Sequence, residues 1–116
     1  MENILSGIRV LDFTRVLSGP YATRILADFG AQVIKVQSKK IEGTEPDAGG
    51  YFDTWNRNKR SITLDMSHSE AHKIALRLVS LCDVVIENFS PRVMSNWGMD
   101  FPKLKDVRPD IIMLSM

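Results

Sequence analysis

Five short apolar runs, at residues 8–13, 33–36, 62–64, 84–86 and 111–114, alternate along this chain with stretches of helical character. Runs this short, rich in Val, Ile and Leu, read as buried strands. The segments between them carry helix punctuation. Ser18-Gly19-Pro20 supplies an N-cap candidate and a proline in the first turn. Ala22, Ile25, Leu26 and Phe29 then fall on one helical face, and Gly30 ends the pattern as a C-cap glycine. Ser67-His68-Ser69-Glu70 is a capping-box pattern opening a helix that repeats Ala71, Ile74, Ala75, Leu78 and Val79. Ser90-Pro91 starts another helix closed by Gly98, and Asp100 caps a further short one terminated by Pro109. Residues 37–50 hold one large apolar residue, Ile41, and are expected to form a long loop. The order β-α-β-loop-β-α-β-α-α-β predicts an α/β fold with an open, mostly parallel sheet and right-handed crossovers.

Composition narrows the function classes. A chain of 116 residues is expected to be one domain able to bury a core without disulfides or metal. A net charge of +1 argues against a nucleic-acid binder. The single Cys82 excludes an internal disulfide and points to a reducing compartment. No apolar run reaches the roughly 18 residues of a membrane span, and residues 1–6 lack the features of a signal peptide. A cytoplasmic location without membrane contact is the expectation.

The first strand-to-helix turn, Thr14-Arg15-Val16-Leu17-Ser18-Gly19-Pro20, lacks the G-x-G-x-x-G of dinucleotide folds, and Gln37 stands where an acid would bind ribose. Both observations count against a nicotinamide cofactor. The segment Asn56-Arg57-Asn58-Lys59-Arg60 concentrates charge just before a strand, as a phosphate-gripping loop does. Each of these basic residues alone is more often a solvated surface charge; their convergence at strand ends makes the case. In Glu87-Asn88-Phe89-Ser90-Pro91, Asn88 offers an amide and Phe89 an apolar face, though a turn residue and a core residue would look alike. His68 and His72 lie four apart but have no third ligand and are read as solvated rather than metal-binding. Tyr51, Phe52 and Trp55 are read as core or ligand-loop packing, and Cys82 as a buried thiol.

Four ordered motifs carry a resemblance: Arg9 to Thr23, Phe29 to Val36, Asn56 to Asp65, and Val84 to Pro91. Together they resemble the N-terminal part of the family III CoA-transferases, the formyl-CoA and carnitine-CoA transferase group that also contains acyl-CoA racemases. The resemblance implies a Rossmann-like sheet belonging to a larger fold, with residues 1–116 as a single, incomplete CoA-binding domain. It implies coenzyme A or an acyl-CoA as substrate with a small carboxylic acid, no metal, and no nucleic acid. By position, Arg15, Val16, Leu17 and Ser18 inherit contact with the coenzyme, as do Lys39, Arg57, Lys59 and Arg60 for its phosphates, and Asn88 and Phe89. The chain departs from the family pattern at Gln37-Ser38-Lys39-Lys40, at Arg92 and at Asn96, where a basic contact is missing. In the family an Asp carboxylate attacks the thioester and becomes a covalent aspartyl-CoA. That Asp lies beyond the strand at residues 111–114, so no catalytic residue is assigned and no turnover is expected from these residues alone. A homodimer, or association with a C-terminal half, is expected from the open sheet edge. The alternative is a non-catalytic CoA- or nucleotide-binding α/β module.

Overall fold

The computed structural model describes residues 3–38 and 50–116. Five parallel strands form one open sheet: β1 (Arg9–Asp12), β2 (Gln32–Gln37), β3 (Arg60–Thr63), β4 (Val84–Glu87) and β5 (Ile112–Ser115). Their spatial order is β3-β2-β1-β4-β5. The helices are α1 (Ser18–Asp28), α2 (Gly50–Asn56), α3 (Ser69–Leu81), α4 (Val93–Asn96) and α5 (Phe101–Val107). The chain leaves β1 toward β2 and β3, then returns to lay β4 and β5 on β1's other side. A right-handed crossover in each direction places the connecting helices on opposite faces. The strand order therefore reverses between β1 and β4, where ligands sit in sheets of this kind.

Two cores follow. Leu11, Phe13, Val36, Val85 and Leu64 pack with Ala71, Ala75, Val79, Met94 and Leu104 from α3, α4 and α5. Val10, Val33 and Ile86 pack with Ala27 and Ala31 beneath α1. Of the Ala22, Ile25, Leu26 and Phe29 stripe expected to bury α1, Leu26 packs against this core only partly buried, while Ile25 and Phe29 turn to solvent, 38% and 55% exposed. Gly19, Pro20, Thr23 and Ala27 make the buried face instead. Small residues win that face because they let the helix approach closely. At Gly19 a Cβ would collide with the Thr14 side chain. Gly19→Ala is therefore expected to cost about 1–3 kcal/mol by overpacking, read as a lowered denaturant midpoint; a midpoint equal to wild type would show that Thr14 can move aside.

Helix punctuation was partly as expected. Gly30, at φ 104°, ends α1 in a Schellman arrangement, with its N–H on the Ala27 carbonyl and the Ala31 N–H on that of Leu26. Asp100 caps α5 by accepting from the Lys103 N–H at 3.3 Å. Two caps differ. Leu17, not Ser18, occupies the N-cap of α1, with no side-chain bond. His68 occupies that of α3, because the Ser67 hydroxyl instead donates to Asp65 at 2.7 Å in a local turn. Helix α2, over residues to which sequence assigned no element, begins where the expected loop ends; residues 39–49 lie outside the described residues. It is held by aromatic contacts rather than an apolar stripe: Trp55 meets Tyr51 and, from α1, Tyr21 in edge-on pairs at 6.1 and 5.4 Å.

Candidate functional site

The loop from β1 into α1 sits at the reversal point and is fixed from beneath. Asp12, fully buried at the end of β1, accepts from the Thr14 N–H at 2.8 Å and from the Thr14 hydroxyl through Oδ1. Its Oδ2 accepts from the Thr23 hydroxyl at 2.6 Å and from the Lys59 ammonium at 3.0 Å. Lys59 Nζ also donates to the Pro20 carbonyl and to Asn56 Oδ1, at 3.1 and 2.8 Å. Lys35, buried in β2, donates to the Thr14 carbonyl at 2.8 Å, and its ammonium lies 5.8 Å from the Phe52 ring centroid. The strand end, α1 and α2 are thus joined through charged hydrogen bonds shielded from water.

Above this floor, Arg15 is held in place by its backbone and its side chain. Its N–H donates to Asn88 Oδ1 and its carbonyl accepts from Asn88 Nδ2, each at 2.8 Å. Its guanidinium donates to the carbonyls of Phe13 and Thr14 and lies 5.7 Å from the Phe89 centroid. Phe89 meets Trp97 edge-on at 5.2 Å, and Trp97 in turn meets Phe13 at 6.2 Å. Val16 follows at φ 70°, a left-handed conformation that a β-branched side chain rarely adopts. Val16, Leu17 and Ser18 are exposed.

Beside the loop lies a cavity of about 250 Å³ lined by Phe13, Arg15, Val36, Ser38, Leu64, Asp65, Met66, Ser67 and Trp97. It opens at the carboxyl ends of β1, β2 and β3, on the face covered by α3, α4 and α5. Sequence reading had not selected Ser38, Leu64, Asp65, Ser67 or Trp97 for the site. The available signal was positional: Ser38 follows β2, and Leu64 and Asp65 follow β3.

The expected basic cluster is dispersed. Arg57 forms an ion pair with Asp28 of α1 at 2.8 Å, and Asn58, itself left-handed at φ 65°, donates to the same carboxylate at 2.7 Å. The Arg57 hydrogen bond holds the Asp28 carboxyl below its usual range. Lys59 points into the Asp12 network, its side chain only 2% exposed. Arg60 is exposed on edge strand β3, level with Ile34 and short of the strand's carboxyl end. Lys39 lies outside the described residues. The loop residues Arg15 to Ser18 come together with Asn88 and Phe89, while Arg57, Lys59 and Arg60 point to three different surroundings.

His72 Nε2 lies 2.6 Å from the Met66 carbonyl and His68 lies 3.3 Å from Asp65. Among the described residues no group of three or more His, Cys, Asp or Glu side chains could hold a metal ion. Cys82 is a free, buried thiol whose pKa burial raises. Among the described residues no helix is long and apolar enough to cross a membrane.

Comparison with known proteins agrees with this architecture. Over its full length the chain is 40% identical, across 124 aligned positions, to formyl-CoA:oxalate CoA-transferase of Rhodopseudomonas palustris strain BisA53, spanning 29% of that protein. The corresponding protein of Bradyrhizobium diazoefficiens gives the same values. The chain thus spans less than a third of these relatives' length. Among solved structures, a CAIB/BAIF family protein from Brucella suis superposes with a TM-score of 0.90 at 36% identity, over 99% of this chain and 33% of that one. The D175A mutant of Rv3272 from Mycobacterium tuberculosis gives 0.90 at 37% identity, over 97% and 32%. A further solved structure at 14% identity and a TM-score of 0.52 shares the fold alone. Residues 5–116 match the family described as CoA-transferase family III, and the chain belongs to that family.

Proposed function

We propose that these residues form the coenzyme-binding part of an activity that moves CoA between an acyl-CoA and a carboxylic acid. The observation that supports this most is the coincidence of the family match with a cavity at the strand ends, beside the reversal point. The nucleotide end of CoA lies in that cavity, and the chain toward its thiol passes the exposed Val16, Leu17 and Ser18. Arg15 is the cation placed to meet a phosphate there, and the aromatic wall of Phe89, Trp97 and Phe13 offers an adenine or pantetheine an apolar surface. Arg60 contributes positive potential from the exposed β3 edge, and Arg57 contributes less because Asp28 pairs with it. Lys59 acts from beneath, by holding the end of β1. No nucleophile is assigned among these residues. The site works alongside the further polypeptide that the longer relatives carry, and the open β5 edge is one surface for such an association.

Isothermal calorimetry with CoA, dephospho-CoA and NAD tests the reading. CoA is expected to bind most tightly, and Arg15→Ala to weaken it by about 1.5–3 kcal/mol through loss of a charged hydrogen bond. NAD binding as tight as CoA would overturn the assignment, because the turn lacks the glycines of a dinucleotide site.

A further inference from the structure

We propose that Asn88 is a positioning residue that locks the β1–α1 loop into its left-handed turn at Val16. Ligand affinity at the strand ends then depends on Asn88 through the shape of the loop. The binding consequence rests on the coenzyme reading above; the lock itself does not.

Ordinary ladder pairing between β1 and β4 ends as the Phe13 N–H donates to the Ile86 carbonyl at 2.9 Å. Beyond that point β4's own backbone turns away, as Glu87 accepts the Phe89 N–H at 2.9 Å through its side chain. The Asn88 carboxamide takes over from the lost strand. It gives and accepts one hydrogen bond with the same residue, Arg15, as a neighbouring strand would, across 73 positions of sequence. On the far side of Val16 the chain is committed to a helix, because the Leu17 carbonyl already accepts the Tyr21 N–H at 2.8 Å. One residue therefore has to turn the chain between two fixed points. That residue is a valine at φ 70°. Such a conformation in a β-branched residue persists only where its surroundings over-determine it. Asn88 supplies the constraint on the Arg15 side. A glycine at position 16 would adopt the same φ without help.

This difference makes a double-mutant cycle decisive. With both hydrogen bonds lost, Asn88→Ala is expected to weaken CoA binding about tenfold or more. In a Val16→Gly background the same Asn88→Ala change should cost less than about threefold, because the turn no longer needs the lock. An equal loss in both backgrounds would overturn the proposal and assign Asn88 to direct ligand contact. Amide hydrogen exchange gives a readout free of any ligand. The Arg15 N–H should exchange about tenfold faster or more in Asn88→Ala, while core amides such as that of Val85 keep their protection. Unchanged Arg15 exchange would sink the lock. Should Asn88→Ala fail to fold, Asn88→Leu removes both bonds while preserving volume and enters the same cycle. Failure of the wild-type chain to bind CoA would count against the coenzyme reading, and the exchange rates would then decide the lock alone.

Discussion

Replacing Lys59 with alanine is expected to lower stability by about 3–5 kcal/mol, a large share of a domain's total of the order of 5–15 kcal/mol. The cause is the partner left behind. Asp12 is fully buried, and without the ammonium its carboxylate keeps only neutral donors from Thr14 and Thr23. The change also strips Asn56 Oδ1 and the Pro20 carbonyl of a donor, loosening both α2 and the start of α1. Urea unfolding measures the effect. In the double variant Asp12→Asn with Lys59→Met, no lone charge stays buried, so part of the lost stability should return. A Lys59→Ala variant within about 1 kcal/mol of wild type would show that the ion pair is solvated and its network dispensable.

Phe13→Ala is expected to cost a further class of energy, about 3–5 kcal/mol from lost burial and the void that remains. Phe13 is fully buried in the larger core, between the end of β1 and Trp97. It also lines the 250 Å³ cavity, so its removal should merge the void with the ligand space and weaken CoA binding as well. A lowered urea midpoint at constant slope, with weaker calorimetric binding, is the predicted pair of results. Loss of stability with unchanged binding would detach the cavity from the ligand site.

Strand positions were readable in the sequence because each apolar run is bounded by turn or helix residues and is itself too short for anything else. All five appear within one or two residues of expectation. The buried face of α1 was not readable. Periodicity weights large apolar residues, whereas the close approach of this helix selected Gly19, Thr23 and Ala27. Helix α2 was missed for a related reason: its Tyr51 and Trp55 pair with each other and with Tyr21 instead of forming a stripe against the sheet. The Arg15 to Ser18 loop and the Asn88-Phe89 corner, singled out from the sequence because both follow strands, come together in the fold. Local sequence misjudged the charge cluster because the partners of Arg57 and Lys59, Asp28 and Asp12, lie 29 and 47 positions away. Nothing within a ten-residue window distinguishes a lysine bound for a buried carboxylate from one bound for a phosphate.

The central place of β1 has a consequence for how the chain assembles. One edge of β1 is matched by β2, only about twenty positions later in the chain. The other waits for β4, and the Arg9-to-Asp83 hydrogen bond that anchors that pairing spans 74 positions. On a ribosome, β1 through β3 emerge while that second edge, with the unlocked turn beyond it, is still bare. Closing so long a loop is entropically slow relative to local pairing. During that interval a nascent chain offers a ready-made strand edge to any other extended segment nearby. Substitutions that delay β4, rather than those that weaken the finished core, are therefore the ones that would raise the yield of aggregate without changing the melting temperature of the protein that does fold.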